Sequence, residues 1–447
     1  IPVENVNLDI SLYNEENQRI HSFSGVIKDG KYRYDVVAKE TSQERGLWLI
    51  DNLYTVEVIA TSGDNTVKKT YEFLGRQSSA YDKGSATATT TTTTSWEEQV
   101  TSTVEINDST TNGPSLEDGD WFGKDITNIG DLNGDGVNDL VVGAPKDFSG
   151  DRGAVHIMFM NTDGSVDSTV EINDSTENGP SLANSDQFGY AVENIGDLNG
   201  DGVNDLAVGA NKDGSGDRGA VHIMFMNTDG TVDETVEINS STTNGPALEE
   251  DDEFGSSIAD IGDLNGDGVN DLAVGANLDD GTGAGQNKGA VHILFMNTDG
   301  SVDSTVEINN ATTNGPTLVG GDVFGTSITN IGDLNGDGVN DIAVGAEKDE
   351  MDENGNSSGG IDRGAIHIML MNTDGSIDSI VEFNDFTTNG PTLSNRDQFG
   401  TSIVNIGDLD GNGINDLAVG AYLDDMDENG NSSGHNASGA IHILFLE

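Results

Sequence analysis

The stretch DLNGDGVNDLVVGA, residues 131–144, decides the fold, because close copies of it begin at Asp197, Asp263, Asp333 and Asp408. Each copy places oxygen-bearing side chains at loop positions 1, 3, 5 and 9, with a glycine at position 6, where the chain must turn most sharply. Ca²⁺ takes six to eight oxygens at about 2.3–2.6 Å, which a curled loop with alternate residues pointing inward can supply. We therefore predict five calcium loops, in which position 7 contributes its backbone carbonyl. The predicted ligands are Asp131, Asn133, Asp135, Val137, Asp139, Asp197, Asn199, Asp201, Val203, Asp205, Asp263, Asn265, Asp267, Val269, Asp271, Asp333, Asn335, Asp337, Val339, Asp341, Asp408, Asp410, Asn412, Ile414 and Asp416.

The loop is not an EF-hand, since position 12, which would carry a bidentate glutamate, is Val142. It runs instead into residues 140–144, a short apolar run that predicts a buried strand. A polar turn rich in Asp, Asn and Gly is the alternative for any single copy. Because all five copies keep oxygen side chains at the same four positions, we favour a metal loop within a β-hairpin.

From residue 101 onward the chain is an array of repeats, whose acidic loops begin 66, 66, 70 and 75 residues apart. Each unit holds an FG run, the acidic loop with its LAVGA strand, a GAVHI-type strand and a TVEIN-type strand. Four-stranded units in tandem are typical of β-propeller blades. The repeats therefore predict an all-β propeller over residues 101–447.

The string that runs from the FG of each unit through IGDLNGDGVNDLVVGAP resembles the FG-GAP repeat of integrin α-subunit propellers and of many prokaryotic surface proteins. This resemblance implies a propeller with Ca²⁺ in the hairpin between strands 1 and 2 of each blade. Integrin heads have seven blades, whereas this chain has five copies. The third letter of GAP is Pro145 in the first copy and becomes Asn211, Asn277, Glu347 and Tyr422 in the others.

The two ends of the array predict how a five-bladed ring would close. It begins with a lone TVEIN strand at residues 103–107 and ends just after the fifth GAIHI strand, so blade five lacks a fourth strand. We expect residues 103–107 to supply that strand and to close the ring without an open edge. The alternative is that this spare strand pairs with a neighbouring molecule.

Residues 1–75 predict a separate domain. β-rich runs at Val6–Tyr13, Arg19–Ile27, 32–37, 54–61 and 66–73 are separated by turn signals, which favours a small β-sandwich. The last two runs resemble the closing hairpin of immunoglobulin-like modules in prokaryotic surface proteins. Residues 76–100 form a Thr/Ser-rich connector, which is either a flexible or glycosylated spacer or an extended segment ordered by pairing with a neighbouring subunit.

The net charge of −60 excludes nucleic acid as a partner, since phosphate binding needs the opposite sign. Residues 1–83 hold 10 basic and 13 acidic residues, which leaves 9 basic and 66 acidic residues for 84–447. No apolar run is long enough to insert into a membrane. The acidic excess favours salty, calcium-bearing water, in which screening makes self-repulsion tolerable.

The remaining candidate sites predict no enzyme. A histidine recurs in strand 3 of each unit, from His156 to His442, and we expect it to pack between blades rather than to join a metal ring. No GxSxG, HExxH or Cys/His pair is present. Two acidic loops between strands 2 and 3 offer either extra calcium ligands or merely solvated carboxylates. Those residues are Asp425, Asp427 and Asn429, with a weaker copy at Glu350, Asp352 and Asn354.

Together these features predict an extracellular, cell-surface, calcium-stabilised structural or adhesive protein that is a subunit of a surface filament or layer. The alternative is a monomeric adhesion module that binds a protein or glycan through the propeller face. Glycosylation sequons after the TVEIN strand in four of the units, as at Asn107 and Asn173, agree with an exported chain.

Overall fold

The computed structural model describes residues 6–13, 19–27, 53–62, 65–74, 103–147, 150–281, 286–350, 362–424 and 439–447. The chain divides into two compact units, Ile1–Thr103 and Val104–Glu447. Every regular element of the described ranges is a β-strand. Within those ranges no helix is long and apolar enough to cross a membrane. The prediction of an all-β chain is confirmed for this part of the protein.

The first unit contains one antiparallel sheet of four strands. They are β1 (Val6–Tyr13), β2 (Arg19–Ile27), β3 (Leu53–Ser62) and β4 (Asn65–Leu74), in the order β2-β1-β3-β4. Four of the five predicted strands are therefore present. The strand predicted at residues 32–37 and the connector at 76–100 lie outside the described residues, so the immunoglobulin-like sandwich stays a prediction.

The second unit consists of five antiparallel sheets, each of which follows chain order and forms one blade of a β-propeller. Four sheets have four strands, and the fifth has three within the described residues. The strands are β5 (Ile126–Gly130), β6 (Asp139–Ala144), β7 (Ala154–Met160) and β8 (Val166–Ile172) in blade one; β9 (Phe188–Gly196), β10 (Asp205–Ala210), β11 (Ala220–Met226) and β12 (Val232–Ile238) in blade two; β13 (Phe254–Gly262), β14 (Asp271–Ala276), β15 (Ala290–Met296) and β16 (Val302–Ile308) in blade three; β17 (Phe324–Gly332), β18 (Asp341–Ala346), β19 (Ala365–Met371) and β20 (Ile377–Phe383) in blade four; and β21 (Phe399–Gly407), β22 (Asp416–Ala421) and β23 (Ala440–Leu444) in blade five.

The glycines of the FG and GA motifs meet where successive blades touch. A Cβ atom on Gly143 would lie 2.0 Å from the carbonyl oxygen of Gly189 in blade two. The same 2.0 Å approach joins Gly209 to Gly255 in the next interface. No side chain fits there, so the motif sets how closely one blade packs on the next. The sequence placed the FG glycine at the start of strand 1 and the GA glycine at the end of strand 2. The structure shows that these two glycines meet in one contact between successive blades.

The core lies between the blades rather than inside any one of them. One cluster joins Ile261, Ile293 and Phe295 of blade three to Phe324 and other residues of blade four, all at most 8% exposed. β11 and β15, in blades two and three, are buried along their whole length because they have a blade on each side. Each blade is therefore stabilised by its neighbours, as in other repeat architectures.

The predicted closing strand is not formed. Residues 103–107 adopt no strand, and among the described residues β23 pairs with β22 alone. Ile106 packs instead on the cluster of blade one that contains Val142 and Met158, and Val104 lies against Gly164. The expectation of a ring closed by this strand is therefore wrong for this structure. Among the described residues, no strand pairs with the outer edge of blade five.

Candidate metal centre

Each acidic loop joins strands 1 and 2 of its blade and is curled by its own side chains. In blade one the carboxylate of Asp131 accepts hydrogen bonds from the backbone N–H of Asp135 (2.9 Å) and of Gly136 (2.8 Å). Gly136 has a φ of 92°, and a Cβ atom there would meet nothing within 4 Å. Backbone conformation, rather than lack of space, therefore requires glycine at position 6.

The aspartate at position 9 connects the loop to the end of strand 3. Asp139 is fully buried and accepts backbone hydrogen bonds from Leu132 and from Met160, both at 3.0 Å. Burial raises the pKa of Asp205 and of Asp271, its counterparts in blades two and three, to about 6, although backbone N–H groups oppose the shift. A bound cation would favour the ionised form of such a buried carboxylate.

In blade five three carboxylates converge on one point. The ligand oxygens of Asp408, Asp410 and Asp416 all lie within 4.8 Å of one another. Two oxygens that bind one Ca²⁺ at about 2.4 Å can be no farther apart than about 4.8 Å, so this spacing fits a single ion. The fold of blade five therefore brings together the predicted ligands at positions 1, 3 and 9 of its loop.

The other four loops carry an asparagine at position 3, whose amide oxygen can replace one carboxylate. Their internal hydrogen bonds match those of blade five. Position 1 accepts from positions 5 and 6 at 2.8–3.0 Å in every loop. The donor set is made of carboxylate and amide oxygens throughout, which fits a hard cation such as Ca²⁺ and not a thiophilic metal.

Position 7 has an apolar side chain in every loop. Val203, Val269 and Val339 pack at the edges of the clusters between blades. The side chain is thus used in the core, and the backbone carbonyl is the only polar group that this residue can offer to an ion. In these three loops, the valine at position 7 therefore also fixes the loop to the core between two blades.

Position 8 is a functional residue that the sequence interpretation missed. Asn204 donates a hydrogen bond from Nδ2 to the carbonyl oxygen of Ile129 in the preceding blade (2.8 Å), and Asn340 does the same to Ile261 (2.9 Å). In blade three Asn270 donates to Asp260 of its own blade instead (2.9 Å). The signal was available, since asparagine stands at position 8 in all five copies. In blades two, four and five the amide at position 8 thus ties the loop to the blade before it.

A family model described as the FG-GAP repeat matches residues 126–158, 188–224, 254–294, 324–360 and 399–444. The chain contains five FG-GAP repeats. It is also similar to integrin alpha-6 of Gallus gallus, with 36% identity over 35% of this chain and 13% of that protein. Integrin alpha-5 of Xenopus laevis is 32% identical over 53% of this chain and 21% of its own length, and integrin alpha pat-2 of Caenorhabditis elegans is 30% identical over 54% and 19%. The aligned parts of this chain span about a fifth or less of each of these relatives.

The strand-3 histidines of the FG-GAP repeats are packing residues. Each ring lies edge-on against the phenylalanine of its own FG run, with centroids 5.3–5.5 Å apart. His156 also lies 3.1 Å from an oxygen of Asp147. This packing is inside one blade, whereas we expected it between blades. Among the described residues no histidine belongs to a cluster of metal-binding groups.

The two further acidic loops lie at the opposite end of strand 2 from the calcium loops. Glu350 is within the described residues, whereas the other five candidate ligands, Asp352, Asn354, Asp425, Asp427 and Asn429, lie outside them. The extra calcium sites therefore stay predictions.

Proposed function

We propose that the five FG-GAP loops bind Ca²⁺ and that the ions stabilise the propeller. The observation that carries this proposal is the convergence of Asp408, Asp410 and Asp416 within 4.8 Å, in a loop whose conformation is repeated in the other blades. Without a cation these carboxylates repel one another, and the aspartate at position 9 is buried. A bound cation would offset both the repulsion between the carboxylates and the burial of the charge at position 9.

The function that this architecture supports best is an extracellular structural or adhesive module at a cell surface, as a subunit of a filament or layer. Its similarity to integrin α chains supports an adhesion-type role. Millimolar calcium outside cells suits loops built from exposed aspartates, which typically bind more weakly than cytosolic sensors. A monomeric module that binds a protein or glycan is the second candidate, favoured by the exposed rings of Trp121 and Tyr422 (51% and 54% exposed).

Calcium titration tests the proposal. Native mass spectrometry of the full chain should show five calcium ions, and excess chelator at low salt should lower the melting temperature sharply. With free Ca²⁺ at about a hundred times Kd, each site would add roughly 2.7 kcal/mol. A melt that chelator leaves unchanged, together with no bound calcium, would refute the metal assignment.

A further inference from the structure

The last blade presents an apolar face to solvent. Val404, Ile406, Leu409, Ile441, Ile443 and Phe445, which we call the uncovered face, are 36–74% exposed. Their counterparts in blade three are Ala259, Ile261, Leu264, Val291, Ile293 and Phe295, which are at most 5% exposed beneath blade four. The same side of the sheet is thus a core in one blade and a surface in the other.

The residues of this face have not become polar. Terminal repeats of an array normally carry a polar outer face, because a hydrophobic one would make the protein insoluble. On strand 1 of blade five the outer face is instead more apolar than in internal blades. Val404 occupies the position that Glu193 holds in blade two and Thr329 holds in blade four. A contiguous exposed apolar patch of this kind marks an interaction site.

Blade one carries the complementary surface. The preceding-blade side of an internal blade contains an isoleucine of strand 1 that is nearly buried, such as Ile258 (9% exposed) or Ile328 (8%). The equivalent Ile126 of blade one is 57% exposed. Asn138, at position 8 of the first loop, is also exposed, whereas Asn204 and Asn340 are partly buried against the blade before them. Blade one is therefore built to receive a blade, and none of the described strands lies there.

Residues 103–107 occupy the place of the missing blade's fourth strand. Val104 lies against Gly164 as Val306 lies against Gly375, at 3.4 and 3.3 Å from the position of a Cβ atom on the glycine. Thr169 donates a hydrogen bond to the carbonyl of Asn112 at 2.8 Å, a contact that recurs between later blades. A segment in the place of strand 4 thus lies in front of blade one, and among the described residues no strand 3 lies beside it.

We propose that blade five of one molecule docks in front of blade one of a second copy. The uncovered face would then repeat the interface that already occurs four times within the chain, and β23 would pair with residues 103–107 of the partner. The register of β15 with β16 fixes the expected pairs: Ile441 opposite Ile106, His442 opposite Glu105, and Ile443 opposite Val104. In addition, Asn138 would donate to the carbonyl of Ile406, as Asn340 does to Ile261.

A second copy fits better than closure within one chain. The four internal interfaces share the close glycine contact, at 2.0–2.2 Å from a built Cβ atom, and this fixes the rotation from blade to blade. With these contacts in place β23 does not pair with residues 103–107 of the same chain, and packed interfaces resist the gradual deformation that would bring the two together. A head-to-tail contact uses them unchanged, and because it is heterologous it generates a ring of molecules or an open filament.

This inference deepens the proposed function and rests on it, since the assembly it describes would be the surface filament or layer. The subunits would contact each other through the faces of blades five and one instead of through the connector. The chain has no cysteine, so disulfide trapping is clean. Val104→Cys and Ile443→Cys proteins, mixed under oxidising conditions with saturating calcium and high salt, should form a disulfide between the two different molecules. Ser304→Cys, at an exposed site on β16 of blade three, replaces Ile443→Cys in the control mixture and should not form it.

The same contact should govern association in solution. By sedimentation, wild-type protein should associate with increasing concentration, and Ile441→Asp should stay monomeric with an unchanged calcium count and melt. Ile441 is 74% exposed, so this substitution leaves the single molecule intact. A Val104→Cys/Ile443→Cys double variant that cross-links only within the monomer would overturn the proposal in favour of a closed ring. A wild type that binds five calcium ions and remains monomeric at its highest soluble concentration would overturn it and favour the monomeric adhesion module, while the calcium part of the proposed function would stand.

Discussion

Asp267→Asn separates a metal ligand from a structural residue. Asp267 stands at position 5 of the third loop, is exposed, and accepts one hydrogen bond from the N–H of Val269 (2.9 Å) and one from the side-chain amide of Asn265 (2.9 Å). Asparagine keeps the shape of the side chain and the acceptor for Val269 but removes one charge. Without calcium the substitution should change the free energy of unfolding by no more than about 0.5 kcal/mol, as is usual for exposed sites.

With calcium the same substitution should be costly. At free Ca²⁺ of about a hundred times Kd, the third site contributes roughly 2.7 kcal/mol, and the variant should lose most of it. An unfolding entropy of about 2.1 cal/mol/K per residue, over the roughly 340 residues of Val104–Glu447, converts this loss into a melting temperature lower by about 4 °C. The reason is that Asp267 is a proposed calcium ligand, whereas the fold needs only the hydrogen bond from Val269, which asparagine can still accept.

Calorimetry in chelator and in calcium, with native mass spectrometry, measures both effects. Asp303→Asn is the matched control, because Asp303 is an exposed carboxylate on β16 of the same blade. The control should keep five ions and the full calcium-dependent gain, and Asp267→Asn should keep four. An equal loss of stability in chelator and in calcium would mean that Asp267 is merely structural, and an unchanged calcium count would refute the ligand assignment.

Three further experiments, each with its own substitutions, test the interfaces and the connector. Asn340→Ala should cost about 1–2 kcal/mol in chemical denaturation through the lost bond to the preceding blade, whereas Asn138→Ala should cost little in the monomer, and equal effects would contradict this role. Burial, opposed by a backbone N–H and assisted by two nearby aspartates, raises the pKa of Glu193 to about 7. Its carboxylate therefore destabilises the fold increasingly from about pH 4.5 to 7, so the thermal advantage of Glu193→Gln over wild type should grow across that range and then level off. Prolines at Thr90 and Thr92 should abolish any assembly that uses the connector but leave the calcium-dependent melt intact, and particles that persist would exclude the connector as the contact.

The blades were predictable because each repeat carries the same FG run, acidic loop and apolar runs in the same order, and these mark where its strands begin and end. The apolar run after each acidic loop predicts strand 2, and the structure places it at Asp139–Ala144 and at the equivalent positions of the other blades. Spacing also placed the loop in a hairpin between strands 1 and 2. The aspartate at position 9 was recognised as a ligand by type, but its burial and its bond to Met160 depend on where strand 3 ends. Such long-range contacts do not appear in the pattern of one repeat.

Ring closure was predicted wrongly for a physical reason. The sequence shows that one strand is left over at the start and that one is missing at the end, and it leaves open whether they belong to the same molecule. That depends on the rotation between successive blades, which arises from backbone contacts such as that between Gly143 and Gly189. Composition and spacing carry no information about this angle. The alternative, pairing with a neighbouring molecule, uses the same two strands and is consistent with the exposed face of blade five.

Calcium and assembly are connected through the loops. In blades two, four and five, position 7 packs at the edge of a cluster between blades. Position 8 of the same loops donates to the preceding blade, as Asn415 does to the carbonyl of Ile331 at 3.1 Å. An ion that orders the loop therefore also orders one edge of the blade interface. In blade one this edge, with Val137 and Asn138, faces the position that a second molecule would occupy. If the first loop binds calcium as proposed, its ion would order the surface on which the second molecule docks, and metal binding and self-association would then share one structural element.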